Sequence, residues 1–343
     1  MAAAERDLTG SLDGIPAWIV TDGKAGDEEQ CLAVAAASGL AAEIRRVAPR
    51  APWCWAMPWG PVDPRERPGL EGGPLRGPLP GLAIGSGRRA VASLRALRRV
   101  SGGRVFTAFL KDPRVAPGTF DFVWAPSHDR VRGRNVLLTP TSPHRISVAA
   151  LAQARSHPDP RLAAVRRPRV AVLVGGQARA VPFDDSAARA LLGGLRLLAK
   201  SGAGLAITSS RRTPDGLRRD LAALARENGG FFFDGSGPNP YLSILAEADA
   251  IVVTADSINM LSEAVATGRP VHAFVPGPLP RRHRAFLEGL VQAGAVRPFA
   301  GRLETFTYPP LDATPVIAAA LAAAYADWKD GRASARSAAE RGS

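Results

Sequence analysis

An apolar run, a glycine-bearing loop and a helix-forming stretch follow one another along this chain, and the rhythm breaks near residue 160 and starts afresh. That alternation constrains the fold more than any other feature, because strand–loop–helix–strand units close into parallel sheets covered by helices. In the first half, an apolar strand over 17–21 runs into Asp22-Gly23-Lys24-Ala25-Gly26 and a helix over about 27–38, with Gly39 as its stop. Further strands are predicted near 42–47 and over 82–84, 104–110, 120–125 and 135–138, with a helix over 90–100. Residues 149–168 hold an Ala/Leu helix, a His-Pro-Asp-Pro break and Arg166-Arg167-Pro168, which suits a domain boundary. The pattern then resumes with strands over 169–174, 204–208, 230–234, 250–254 and 270–274. Helices are expected over 186–201, up to 228, over 241–248 and 257–267, and finally over 313–327. The expected architecture is α/β, two Rossmann-like domains with parallel sheets facing a cleft. The expected division is an extension over 1–15, domains over 16–160 and 161–327, and a flexible tail over 328–343.

Composition narrows the partners. The chain has 343 residues, 46 % of them hydrophobic and 22 % charged, enough apolar surface for two cores and too ordered a balance for wholesale disorder. A net charge of +13 attracts anions such as nucleotides, nucleic acid or an acidic membrane face. Much of the excess is arginine spread along Ala-rich helices, as over 94–99, which equally suits a solvated face. No basic arm interleaved with aromatics and no zinc-finger spacing occurs, so nucleic acid is not an expected partner. Cys31 and Cys54 form no Cys-x-x-Cys pattern, and His128, His144, His157, His272 and His283 are scattered, so no metal site or cofactor is expected. The first 15 residues lack an apolar signal core, and no apolar run reaches the roughly 18 residues of a spanning helix. The expectation is a cytoplasmic protein, peripheral at the inner face of the membrane. The Pro/Gly-rich stretch over 48–81 carries Trp53, Trp55 and Trp59 at alternate positions around Met57. Such a loop suits either a membrane interface or an ordered cover over its domain.

The candidate site residues follow from the loops. After the strand over 250–254, Ala255-Asp256-Ser257-Ile258-Asn259-Met260-Leu261-Ser262-Glu263 starts a helix whose free N–H groups suit a phosphate. Glu263 lies on that helix flank, where a carboxylate can accept from ribose hydroxyls; Asp256 or Ser257 also suits a helix cap. Gly175-Gly176-Gln177 permits close backbone approach, and Thr208-Ser209-Ser210-Arg211-Arg212 supplies hydroxyls and guanidiniums for a diphosphate. The expected binding residues here are Gly175, Gly176, Ser209, Arg211, Asp256, Ser257, Asn259, Met260 and Glu263. In the first half they are Gly23 and Gly26, with Gly85 and Arg88 from Gly85-Ser86-Gly87-Arg88-Arg89. Neither loop is a Walker A motif or a complete dinucleotide fingerprint, and no Gly-x-Ser-x-Gly elbow supports a hydrolase triad. Asp22 is the candidate general base, with His128 beside Asp129 as its rival.

Taken together, Trp18-Ile19-Val20-Thr21-Asp22-Gly23-Lys24-Ala25-Gly26 with Gln30, Ala83-Ile84-Gly85-Ser86-Gly87-Arg88, and Phe120 to Asp129 resemble the mitochondrial fission ELM family of plants and bacteria. The resemblance continues through Asn135-Val136-Leu137-Leu138-Thr139, Val174-Gly175-Gly176, Thr208 to Arg212 and Thr254 to Ala264, covering about 16–325. It implies a glycosyltransferase-B-like protein that takes a nucleotide-diphosphate sugar as donor substrate, without a metal, and passes the sugar to a lipid or envelope glycan. Bacterial relatives are also labelled nucleotide-sugar epimerases, and a non-catalytic adaptor on the same fold is a third implication.

Overall fold

The computed structural model describes residues 12–177, 181 and 183–341. Two compact units emerge, one of residues 1–139 with 313–343 and one of residues 140–312. The part of the expected extension before residue 12 lies outside the described residues, whereas Leu12 is buried and its N–H bonds Ser38 O at 3.2 Å.

The first unit contains β1 (Pro16–Thr21), α1 (Ala25–Ala37), β2 (Ala41–Arg46), α2 (Trp53–Ala56), β3 (Leu82–Ser86), α3 (Ala90–Val100), β4 (Phe106–Leu110), β5 (Phe122–Pro126) and β6 (Val136–Thr139). Its parallel sheet has the order β2-β1-β3-β4-β5-β6. Strands β3, β4 and β5 are buried along their whole length, as expected of strands covered on both faces.

The second unit contains α4 (Val148–Ser156), β7 (Arg169–Val174), α5 (Asp185–Lys200), β8 (Gly204–Ser209), α6 (Asp215–Glu227), β9 (Phe231–Phe233), α7 (Tyr241–Ala246), β10 (Ala250–Thr254), α8 (Ile258–Val265), β11 (Val271–Phe274), α9 (Arg281–Gln292) and β12 (Val296–Pro298). Its sheet, also parallel, runs β12-β11-β10-β7-β8-β9. The two Rossmann-like α/β units are those that the glycosyltransferase-B resemblance implies.

Two boundaries differ from the expectation. The first unit ends at Thr139 rather than at 160, because Ile146, Leu151, Ala154 and Leu162 pack into the second unit's core with Ile244 and Leu245. The break in the strand–helix rhythm marks a connection inside that unit instead. Secondly, the final helix α10 (Thr314–Arg341) runs on through the stretch expected as a tail. Its Ile317, Leu321 and Ala322 join Ile19, Phe106 and Trp124 in the first unit's core. Two fully buried aliphatic side chains of this size contribute about 1.5–3 kcal/mol each. Tyr325 and Trp328 meet Phe106 edge-on at ring-centroid distances of 5.4 and 5.5 Å.

The 48–81 stretch is ordered, in keeping with the ordered cover that its sequence allowed. Asp63 organises it: the buried carboxylate accepts from Arg50 N at 3.0 Å, Arg50 Nη2 at 3.1 Å and Arg65 N at 3.0 Å. Those Arg50 bonds above all hold the Asp63 carboxyl well below the usual carboxylate range, at about 2. A group whose acidity is raised by folding stabilises the fold above its unfolded value and loses that contribution as pH falls. Asp63→Ala is therefore expected to cost about 2 kcal/mol at neutral pH. Its melting temperature should also fall less steeply than the parent's between about pH 4 and pH 2, measured by circular dichroism. Equal acid sensitivity of the two proteins would remove Asp63 as the anchor. Among the described residues no helix is long and apolar enough to cross a membrane.

Candidate functional site

In an open parallel sheet, ligands gather at the carboxyl ends of strands where the strand order reverses direction. In the first unit the chain passes from β1 outward to β2 and then returns to β3 on the other side of β1. The loops after β1 and β3 therefore diverge from neighbouring strand ends and leave a crevice. In the second unit the same reversal falls between β7, which leads outward to β8 and β9, and β10, which returns beside it.

At the first reversal, Asp22 follows β1. Its side chain is 2 % exposed, Oδ2 accepts from Lys24 Nζ at 2.7 Å, and buried Oδ1 has no hydrogen-bond partner among the described residues. Gly87, after β3, faces it: a Cβ there would lie 3.5 Å from Asp22 Oδ1 and 3.4 Å from Asp27 Oδ2. Gly23 and Gly87 both hold positive φ, +78° and +86°, which is why the two turns need glycine. Asp27, in the first turn of α1, pairs with Lys111 at the end of β4, and Glu28 takes both Arg46 Nε at 2.9 Å and Nη2 at 2.7 Å. Lys111 sits at φ +83°, a left-handed conformation that costs a non-glycine residue of order 1 kcal/mol and is held by the ion pair and by Lys111 N donating to Trp124 O. Gly26 lies in the first turn of α1, and Arg88 is exposed beyond β3.

Gly85 does not belong to this loop. It is buried inside β3, where a Cβ would come within 2.8 Å of Leu94 of α3, so its missing side chain serves helix-on-sheet packing. His128 is half-buried in the turn after β5, closed by Asp129 N donating to Pro126 O at 2.9 Å. Three strand spacings separate β1 from β5, about 14 Å. Asp22 and His128 therefore belong to loops at different strand ends.

At the second reversal the side chains interlock. Thr254 Oγ1 donates to Asp256 Oδ1 at 2.6 Å and accepts from Gly175 N at 2.7 Å. Asp256 Oδ2 accepts from Gly176 N at 2.9 Å and faces Arg212 Nη2 at 3.4 Å. Asp256 is 3 % exposed, so its carboxylate ties the β7, β8 and β10 loops together and does not point outward as a ligand group. Thr213 Oγ1 donates to Gly175 O, and Gln177 N to Arg212 O at 3.1 Å. A Cβ on Gly175 would lie 2.2 Å from Asp256 Oδ2, and one on Gly176 2.2 Å from Arg212 O. Both glycines thus serve a close approach within the chain itself.

Around this knot lie the groups that can meet a ligand. Ser257 caps α8, its Oγ accepting from Met260 N at 3.3 Å, and Ser257, Asn259 and Met260 are half-buried at the helix start. Ser209 ends β8 half-buried, and Arg211 is exposed. Glu263, half-buried on α8, accepts from Tyr241 OH. Burial, joined by the Glu263 charge, raises the Tyr241 phenol well above its ordinary value, so it remains a donor at neutral pH. His283 stands in the first turn of α9 near Asp256, and its buried Nδ1 has no hydrogen-bond partner among the described residues. Burial lowers its proton affinity more than Asp256 raises it, leaving the ring neutral at pH 7.

Sequence reasoning missed Tyr241, His283, Thr254 and Lys111. Tyr241 meets Glu263 across 22 residues, and no local motif announces that pairing. Thr254, by contrast, ends the strand in the very segment singled out and was legible as a hydroxyl beside Asp256.

With this geometry described, the chain can be compared with known proteins. It is 30 % identical over 265 residues to the mitochondrial fission protein ELM1 of Arabidopsis thaliana, which covers 69 % of this chain and 62 % of that protein. An uncharacterised protein of Rickettsia prowazekii is 31 % identical over 159 residues, 43 % of this chain and 44 % of that one. The chain thus spans less than two thirds of either relative. Among solved structures, UDP-GlcNAc 2-epimerase from Neisseria meningitidis bound to UDP-GlcNAc superposes with TM-score 0.52 at 12 % identity, covering 84 % of this chain and 88 % of that one. The corresponding enzyme from Rickettsia bellii superposes with TM-score 0.50 at 11 % identity, covering 90 % and 94 %. At such identities the likeness is one of fold, the glycosyltransferase-B type. The profile described as mitochondrial fission ELM1 matches residues 25–325, and with the Arabidopsis relative it shows that the chain belongs to the mitochondrial fission ELM1 family.

Proposed function

We propose that this protein is a metal-independent glycosyltransferase that takes a nucleotide-diphosphate sugar as donor and a lipid or envelope glycan as acceptor. The supporting observation is the capped start of α8 at the β7/β10 reversal, beside Ser209 and two arginines. In this reading the first-turn N–H groups of α8, with Arg211 and Arg212, receive the diphosphate. Glu263, oriented by Tyr241, accepts from the ribose hydroxyls. Asp256 contributes by holding the loops in place. The acceptor oxygen bonds the anomeric carbon as the bond from that carbon to the diphosphate breaks, and the acceptor proton passes to a general base, the role assigned in this reading to Asp22. Helix dipole and guanidiniums stabilise the negative charge that develops on the leaving diphosphate.

Donor affinity tests the binding half of this reading. UDP-GlcNAc at a hundredfold its dissociation constant should stabilise the protein by roughly 2.7 kcal/mol in a thermal shift. Glu263→Ala should weaken binding about ten- to a hundredfold, as expected on losing a charged hydrogen-bond acceptor, and Tyr241→Phe about fivefold. Calorimetry showing no binding by a panel of sugar nucleotides at millimolar concentration would end the proposal.

A second reading, sugar-nucleotide epimerisation in the same site, is favoured by the fold neighbours' own activity. Turnover of the donor with no acceptor present distinguishes it.

A further inference from the structure

The ordered 48–81 stretch of the first unit leaves one feature unused by the donor reading. Its short helix α2 buries Met57, 2 % exposed, while Arg50 stands over the Trp53 ring at 5.8 Å. Trp55 and Trp59 on the same turn project into solvent, 76 % and 68 % exposed. Two large exposed indoles four positions apart in the sequence need an explanation, because an indole is stable where one end is apolar and the other wet. Arg95 of α3 donates to Trp59 O at 3.0 Å and so brings the tryptophan turn to the end of that helix. There Arg95, Arg98 and Arg99, with Gly102, Gly103 and Thr119, line an open depression of about 400 Å³. Val100 beside them is 58 % exposed, and exposed Arg104 follows. Arg98 pairs with Asp121 at 2.8 Å, and Asp121 is also committed to Thr107; Arg99 and Arg104 make no ion pair among the described residues.

Arginines in a last helical turn complement the helix dipole, which accounts for Arg98 and Arg99. It accounts neither for Arg104, beyond the helix, nor for the tryptophans. We propose that Trp55, Trp59, Val100 and the arginines at the end of α3 form a surface that binds anionic phospholipid bilayers, with the indoles entering the headgroup region and the guanidiniums meeting lipid phosphates. Charge complementarity selects the partner: the patch is cationic around an apolar centre, and the whole chain carries +13. Nucleic acid shares the phosphate, and the oligonucleotide arm of the test below separates it from lipid.

Co-sedimentation with phosphatidylcholine vesicles, with or without roughly one third phosphatidylglycerol, tests the surface. The parent protein should partition into the anionic vesicles alone, lose that binding in high salt, and show tryptophan emission quenched by brominated lipid. Arg99→Glu with Arg104→Glu, and separately Trp55→Ala with Trp59→Ala, should each lower the partition coefficient about tenfold or more while the melting temperature stays unchanged. Equal binding to neutral vesicles, or either double variant binding like the parent, would overturn the proposal. So would an RNA oligonucleotide that binds the parent and the Trp55→Ala/Trp59→Ala protein equally and displaces both from vesicles.

Discussion

Gly176→Ala is expected to destabilise the second unit by about 3 kcal/mol and to lower its thermal midpoint by about 6–12 °C. The reason is backbone against backbone. The added methyl would sit 2.2 Å from Arg212 O, 2.3 Å from Arg212 C and 2.4 Å from Thr213 N, with no flexible side chain to give way. To relieve the clash, the β7 and β8 loops must part, breaking Gln177 N to Arg212 O and loosening the Gly176 N bond to Asp256. Any donor site that depends on those loops should be lost with them. Gly193→Ala supplies the control. Gly193 lies inside α5 with open space where its Cβ would be, so that substitution should stabilise by roughly 0.5–1 kcal/mol. Calorimetric melting of both variants decides the matter, and a Gly176→Ala protein melting like the parent would show that the knot is not rigid.

Asp22→Asn is expected to lower kcat by about 10²- to 10⁴-fold while leaving the donor dissociation constant within about twofold. Asparagine keeps the shape and can still accept from Lys24, so folding should be spared. What it removes is the capacity to take a proton at a carboxylate oxygen that is buried and without a partner among the described residues. Single-turnover transfer assays, with calorimetry for the donor, separate the two effects. If donor affinity and turnover fell together, Asp22 would be a structural support rather than a base. Undiminished turnover would move the search to His128, about 14 Å away by strand spacing.

The strands were legible because fully buried parallel strands read as unbroken apolar runs. Residues 169–174 and 250–254 match β7 and β10 at both ends. β12, three residues long with exposed Arg297 and Pro298, has no such run and was missed. The loops bearing Asp22 and Ser257 could be placed because a strand followed by a helix fixes where the connecting turn must lie. The roles of individual residues were harder to read. Gly85 looks like a loop glycine until Leu94 is seen to occupy its missing side chain. Asp256 looks like a ligand group until its partners Gly176, Thr254 and Arg212 arrive from three strand ends. Thr254 is a sequence neighbour, but the Arg212 and Gly176 contacts join residues 44 and 80 positions apart, beyond what any local pattern encodes.

The return of α10 to the first unit has a consequence for how the protein is made. A ribosome releases residues 16–139 long before Ile317, Leu321 and Tyr325 exist, so the first sheet emerges with one face covered by α1 but not yet by α10. The second unit is one uninterrupted segment and can close while synthesis continues. The unit born first is therefore the last to be finished, and until then Phe106 and Trp124 lack the part of their cover that α10 supplies.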